Sequence, residues 1–227
     1  MTQVLGKSDP ELREDVHREL QWDPRVEETT IGVAADNGVV TLTGTATSLA
    51  RRLAAEEAAH RVAGVLDVAN DIEVTVGGSL ARTDAEIAQA VRRALEWDVF
   101  VPDQRLRSTV SNGWVTLDGD VEFWSEREDA ERAVRTLAGV RGVTNRIAVA
   151  FTPPPEVRQD VRRAIEEALG RRAQRAAADV RVDVEGGRVT LSGRVRSWEE
   201  KRAVLGAARY TPGVEAIEDH LEIDHFA

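Results

Sequence analysis

Apolar residues recur about four positions apart in three separate stretches of the chain, a spacing that places them on one face of a helix. They are Leu12, Val16 and Leu20, then Ile87, Val91 and Leu95, and then Val157, Val161 and Ile165. Two of these helices begin with capping-box spacing, in which Ser8 pairs with Glu11 and Thr83 pairs with Glu86. The pattern therefore predicts one helix near the start of each third of the chain.

Each predicted helix is followed by two short segments in which apolar and polar residues alternate, as in strands with one buried face. The second segment belongs to an eight-residue phrase that reads NGVVTLTG at 37–44, NGWVTLDG at 112–119 and GGRVTLSG at 186–193. Asn-Gly and Gly-Gly pairs favour tight hairpin turns because both residues tolerate a positive φ. We therefore interpret the phrase as a turn, the second strand of a hairpin and a terminal glycine.

A second helix and a last strand complete each third of the chain. The helix of the first third carries Ala55, Ala58 and Ala59 at helical spacing, and the strand after it alternates Val68 and Ile72 with polar residues. The predicted order is α-β-β-α-β. The predicted fold class is α+β, with three tandem units that each contain a three-stranded mixed sheet and two helices on one face.

Glycines show that the three units are copies of one another. One set ends the repeated phrase and a second set precedes the last strand, and within each set the separations are 75 and 74 residues. The two sets are Gly44, Gly119 and Gly193, and Gly64, Gly139 and Gly213. We assign these glycines a structural role and predict domains at 1–78, 79–151 and 152–227, called here the first, second and third copies.

Composition limits the function further. The chain of 227 residues has a net charge of −10 and no cysteine, so we expect neither nucleic-acid binding, which needs clustered cations, nor thiolate chemistry. No nucleotide-binding or zinc-protease motif is present, and we expect no catalytic residue, cofactor or metal. No apolar run reaches the roughly 20 residues of a membrane span, and no signal peptide is evident, which predicts a cytoplasmic protein.

The pattern xGxVxLxG in the hairpin, with GVxxVxN before the last strand, resembles the BON domain, named for bacterial osmotically inducible and nodulation proteins. The resemblance covers 8–76, 83–151 and 154–225. It implies non-enzymatic binding modules associated with phospholipid surfaces or, in one cytoplasmic case, with potassium sensing. The motif asparagines Asn70 and Asn145, with Asp219 at the matching position, are therefore candidate potassium ligands. The alternative is that each side chain caps the turn into the last strand.

Arginines cluster on and after the first predicted helix of the third copy. The cluster comprises Arg158, Arg162, Arg163, Arg171, Arg172 and Arg175. On an acidic protein, such a cluster is the place where an anionic lipid headgroup or an acidic partner would dock. The alternative is a solvated helix face, on which the arginines pair with Asp160, Glu166 and Glu167 at helical spacing.

Three tryptophans are candidate interface residues. Trp124 and Trp198 occupy matching positions after the hairpin glycine, where the first copy has Leu49, and Trp114 is expected to face outward from its strand. Exposed tryptophans often mark interfaces with a partner. The alternative is that these side chains pack one copy against the next.

These observations predict a non-enzymatic binding or scaffold protein for stress adaptation, which associates with an anionic phospholipid surface or a protein partner. We expect it to be cytoplasmic and at most peripheral to the membrane. The alternative prediction is a cytoplasmic potassium sensor that changes shape when it binds the ion.

Overall fold

The protein is described here from a computed structural model. The described residues are 7–78, 81–150, 163, 165, 167, 180–185, 187–211 and 213–224. Within them, the chain forms three sheets of three strands each, which belong to the first, second and third copies.

The described elements of the three copies follow the predicted order; most of the predicted first helix of the third copy, including Val157 and Val161, lies outside the described residues. The first copy contains α1 (Asp9–Trp22), β1 (Ile31–Asp36), β2 (Val39–Ala46), α2 (Leu49–His60) and β3 (Asp67–Val74). The second contains α3 (Asp84–Trp97), β4 (Leu106–Ser111), β5 (Trp114–Val121), α4 (Trp124–Arg135) and β6 (Gly142–Val149). The described part of the third contains β7 (Val180–Glu185), β8 (Arg188–Val195), α5 (Trp198–Arg209) and β9 (Ala216–Ile223). The α+β prediction of three tandem units is confirmed.

The sheets are mixed, as predicted. In the first copy, β1 pairs antiparallel with β2, and β2 pairs parallel with β3, so that β2 is the central strand. The second and third copies repeat this order and register. A parallel pair needs a crossover connection, and the second helix of each copy supplies it.

Local signals in the sequence set the ends of these elements. Both predicted capping boxes form, with Ser8 bonded to Glu11 and Thr83 bonded to Glu86 at the starts of α1 and α3. The first hairpin turns at Asn37 and Gly38, whose φ values are 50° and 82°. Since a positive φ at both central residues defines a type I′ turn, the Asn-Gly pair acts as predicted.

The glycine that ends the repeated phrase allows a close backbone approach. Gly119 has a φ of 136°, and a Cβ atom added there would lie 2.3 Å from the carbonyl oxygen of Arg105. At the equivalent Gly44, the added atom would lie 2.0 Å from the carbonyl oxygen of Thr30. Any side chain would therefore force the first and second strands apart.

Each core lies between one face of the sheet and the helices. In the first copy, Leu12 and Leu20 of α1 pack with Leu42 of β2 and Ile72 of β3, all of them buried. Leu49, at the start of α2, is an exception because it is buried in the core of the second copy. The copies are therefore joined through apolar packing at this point.

Candidate functional site

The second helices of the three copies meet one another in a cyclic order. Leu49 and Leu53 of α2 pack against the core of the second copy. Glu128 of α4 forms an ion pair of 3.1 Å with Arg209 of α5. Trp198 of α5 stacks on His60 of α2, with ring centroids 3.7 Å apart.

These three junctions use equivalent positions. The residues at the starts of the helices, Leu49, Trp124 and Trp198, are separated by 75 and 74 residues, and so are those at the ends, His60, Arg135 and Arg209. In each junction, the first half of one helix contacts the end of the next copy's helix. The third copy returns to the first, so the chain forms a closed arrangement that we call the three-copy ring.

The chemistry differs from one junction to the next. Between the third and first copies, burial lowers the pKa of His60 to about 4; Asp67 opposes this shift, and Arg202 and Lys201 add to it. Between the second and third copies, burial raises the pKa of Glu128, and the charge of Arg209 opposes the rise. The equivalent helix ends His60 and Arg209 thus make an aromatic contact in one junction and an ion pair in another.

The structure places the three candidate tryptophans in different surroundings. Trp114 is half exposed on the outer face of its sheet, donates a hydrogen bond of 2.8 Å from Nε1 to Thr144 Oγ1 and lies against Gly142. Trp124 is half buried at the start of α4, with the guanidinium of Arg127 4.7 Å from its ring centroid. Trp198 packs one copy against another through its contact with His60.

The structure describes one arginine of the cluster in the third copy. Arg163 lies in a helical segment and places Nε 3.7 Å from Glu167 Oε1, at the i,i+4 spacing of a surface ion pair. Arg158, Arg162, Arg171, Arg172 and Arg175 lie outside the described residues.

The motif asparagines join the last strand to the second helix. Asn145 lies within β6 rather than in the turn before it, and its Nδ2 donates to the carbonyl oxygen of Arg127 and to Glu131 Oε2 at 2.9 and 3.1 Å. Its Oδ1 accepts the N–H of Ile147 at 3.1 Å. Asn70 makes the equivalent bonds in the first copy. This geometry gives each asparagine a role in holding its own copy together.

In the third copy, an aspartate joins the last strand to the second helix. Asp219 Oδ1 accepts the N–H of Leu221 at 3.0 Å, and Asp219 Oδ2 lies 3.0 Å from Lys201 Nζ. Lys201 occupies the position of Arg127, and Leu205 occupies the position of Glu131. An aspartate therefore fits here because a cation faces it and the neighbouring glutamate is missing.

Sequence reasoning missed a cluster of exposed apolar side chains at the end of α3. Trp97, Val99 and Phe100 are 84%, 88% and 69% exposed. We call residues 97–100 the apolar turn. The end of α1 carries Trp22 at the equivalent position, 79% exposed. The sequence signal for this pair is that Trp22 and Trp97 are separated by 75 residues, the spacing of the repeat.

The turn of the first copy that corresponds to the apolar turn is held by ion pairs. Asp23 is buried, and its Oδ2 lies 2.8 Å from a guanidinium nitrogen of Arg25 and 2.8 Å from one of Arg61. The hydrogen bonds from Arg25 are the main cause that lowers the pKa of Asp23. Arg25 also reaches Glu57 at 3.0 Å. These contacts fix the turn against α2.

The second copy has lost both arginines of this arrangement. Phe100 stands at the position of Arg25, and Thr136 stands at that of Arg61. Asp98, equivalent to Asp23, accepts the N–H of Phe100 at 3.0 Å, just as Asp23 accepts the N–H of Arg25, so the two copies differ in the ion pairs and not in this backbone bond. The same turn is thus ion-paired in one copy and apolar and exposed in the next.

Two further observations bear on the type of site. Among the described residues, no group of three or more His, Cys, Asp or Glu side chains is placed to hold a metal ion. None of the helices in the described part of the chain is both long enough and apolar enough to cross a bilayer.

Two α-β-β-α-β units, and a third whose described elements are β-β-α-β, are joined through their second helices and define a tandem-repeat α+β protein. A model of the BON domain family matches residues 8–76, 83–150 and 157–224. The chain therefore belongs to the BON domain family, which confirms the resemblance seen in its sequence motifs.

Individual proteins resemble the chain to different extents. Osmotically-inducible protein Y of Escherichia coli (strain K12) is 29% identical over 124 residues, which are 53% of this chain and 62% of that protein. The chain thus matches less than two thirds of that relative's length. Two structures of CdsD, a structural protein of the type III secretion system of Chlamydia trachomatis, each match with a TM-score of 0.26. Their identities are 13% and 14%, covering 93% and 96% of this chain and 91% and 100% of theirs.

Proposed function

We propose that this BON protein is a non-enzymatic binding protein that attaches to phospholipid surfaces through the apolar turn of its second copy. The observation that carries the proposal is the contrast between equivalent turns, one of which is ion-paired while the other presents Trp97, Val99 and Phe100 to solvent. Clustered apolar side chains on a surface mark interaction sites. Tryptophan in particular is enriched at membrane–water interfaces.

The apolar turn is held in one conformation from its buried side. Val101 is buried in the core of the second copy, and its N–H donates to the carbonyl oxygen of Asp98 at 3.0 Å. The side chain of Asp98 accepts the N–H of Phe100. Because these contacts order the turn before it meets a bilayer, insertion of Val99 and Phe100 requires little further ordering.

Charges around the turn suit a zwitterionic surface. The segment 92–105 carries three cations and three anions, namely Arg92, Arg93, Arg105, Glu96, Asp98 and Asp103. Arg92 bridges Glu96 and Asp103. Because the cations and anions of this segment balance, they neither attract nor repel phosphocholine headgroups. Insertion of apolar side chains is not screened by salt, whereas attraction between surface charges is. Similarity to an osmotically inducible protein supports a role in stress adaptation.

Vesicle flotation with the full chain tests the proposal. We expect the protein to float with phosphatidylcholine vesicles at low salt and at about 1 M salt. The combined change Trp97→Gln, Val99→Ser and Phe100→Gln should lower the partition coefficient at least tenfold, since burying each side chain contributes about 1.5 kcal/mol or more. Val39→Ser, which alters an exposed apolar residue on the sheet, is the matched control and should leave flotation unchanged.

A different outcome would identify the arginine cluster as the attachment site. In that case, flotation would require anionic lipid, would be lost at about 1 M salt and would survive the triple change. It would instead be lost on changing Arg158, Arg162 and Arg163 to glutamine. Either this result or a failure to float with any vesicle would overturn attachment through the apolar turn.

A further inference from the structure

A groove runs along the junction between the first and second copies. It encloses about 430 Å³, within the range of roughly 300–1,000 Å³ typical of small-molecule sites. Ala50, Leu53 and Ala54 of α2 line it together with Arg135 and Thr136 at the end of α4. The groove therefore combines apolar side chains from one copy with a cation from the next.

The arginines of the groove differ in how their charges are balanced. Arg25 pairs with Glu57 at 3.0 Å, and Arg51 pairs with Glu27 at 2.7 Å. Arg135, which is half buried, has no carboxylate oxygen within 4.0 Å among the described residues. Arg135 also lines a neighbouring pocket with Glu128 and Glu131, but neither carboxylate forms an ion pair with it. The groove thus holds one guanidinium that makes no direct ion pair among the described residues.

Comparison with the next junction explains why Arg135 is unpaired. Arg209 occupies the equivalent position there and pairs with Glu128. The residue equivalent to Glu128 in the first copy is Leu53, which is packed in the junction. The first junction has therefore exchanged the acid for an apolar side chain while keeping the cation.

We infer that this groove binds a single-chain carboxylate amphiphile, of the fatty-acid type. Its carboxylate would pair with the guanidinium of Arg135, a geometry that forms two parallel hydrogen bonds. Its hydrocarbon chain would lie against Ala50, Leu53 and Ala54. One guanidinium without a direct ion pair matches one monovalent headgroup. This site is separate from the apolar turn, and it takes one monomeric ligand rather than a bilayer.

Isothermal titration of the full chain with laurate, kept below its micelle concentration, tests the inference. We expect one saturable site per chain. Arg135→Gln should weaken laurate binding at least tenfold by removing the charge partner, and Ala50→Phe should abolish binding by filling the groove while leaving every charge in place. Arg209→Gln, at the same position of the next junction, should leave laurate binding unchanged.

Ligand controls separate the headgroup from the chain. Acetate and dodecyl maltoside should each bind far more weakly than laurate, because one lacks the chain and the other the charge. The triple variant of the apolar turn should bind laurate normally, which distinguishes this site from the proposed membrane attachment. The inference is overturned if laurate does not saturate, if Arg135→Gln binds it as well as the wild type, or if a glutamate-rich peptide binds where laurate does not.

Discussion

The imidazole of His60 in the first copy and the indole of Trp198 in the third copy stack with centroids 3.7 Å apart and planes inclined at 41°. His60 Nδ1 and Trp198 Nε1 are both buried, and neither has a hydrogen-bond partner in the described part of the chain. The contact joins residues 138 positions apart and closes the three-copy ring. It also contains a histidine whose pKa is shifted by burial.

Acidification is expected to weaken this junction. Burial lowers the pKa of His60 to about 4, whereas an unfolded histidine titrates near 6.5. Because the unfolded state takes up the proton first, stability falls as the pH is lowered from about 6.5 to about 4. Thermal melts across this window should show a falling Tm for the wild type. His60→Phe keeps an aromatic ring without titrating, so its melts should fall less steeply.

Comparing the two proteins removes the contribution of carboxylates, which titrate in both. The assignment to His60 is wrong if the variant and the wild type lose Tm equally between about pH 6.5 and about pH 4.

Gly119→Ala should destabilise the protein by about 1–3 kcal/mol. The φ of Gly119 is 136°, and the added methyl carbon would meet the carbonyl oxygen of Arg105. Urea unfolding monitored by circular dichroism measures the change. Gly77→Ala is the matched control, because an added Cβ there would meet no atom within 4 Å. An unchanged unfolding curve for Gly119→Ala would refute the close-approach role.

Asp23→Asn should destabilise the first copy by about 1–3 kcal/mol, the range for hydrogen bonds to charged groups. The change removes the carboxylate that both Arg25 and Arg61 contact. Asp98→Asn is the control at the equivalent position, where those two arginines are absent, and its effect should be much smaller. Chemical unfolding at neutral pH measures the free energy of unfolding of both variants.

The loss of stability at acid pH should also differ between the wild type and Asp23→Asn. The depressed pKa of Asp23 means that its contribution is present above the unfolded pKa of about 3.9 and is lost as the pH falls through the lower folded value. Equal stability losses in the wild type and the variant below about pH 4 would contradict this account.

Asn145→Asp should destabilise the second copy by about 1–3 kcal/mol, because partly buried groups would lose their hydrogen-bond partners. The new carboxylate oxygen would face the carbonyl of Arg127 and the carboxylate of Glu131, both of which now accept from Asn145. Adding Glu131→Leu, the residue that the third copy has here, should restore part of the loss. The double-mutant cycle is measured by urea unfolding, and purely additive effects would show that Glu131 plays no part.

Much of each copy could be predicted because the signals are local. Ser8 and Glu11 indicate the start of a helix, and Asn37 and Gly38 indicate a turn. Each of these signals acts over three residues or fewer. The apolar turn could not be predicted in the same way. Trp97 looks like a continuation of an amphipathic helix, and its turn lacks ion pairs because Phe100 and Thr136 stand where the first copy has two arginines that are distant in the chain.

The sequence by itself determined the unit and its repetition, since helix spacing, strand alternation and turn glycines depend on neighbours close in the chain. Only the tertiary structure decided which contacts the repeated positions make. Leu49, Trp124 and Trp198 are equivalent in sequence, but Leu49 packs in the core of the second copy, Trp124 lies against Arg127 of its own copy and Trp198 stacks on His60 of the first copy. The physical reason is that the contact partners of a surface position are set by how the copies pack. That packing places Leu53 beside Arg135 at one junction, Glu128 beside Arg209 at another, and Trp198 on His60 where the ring closes.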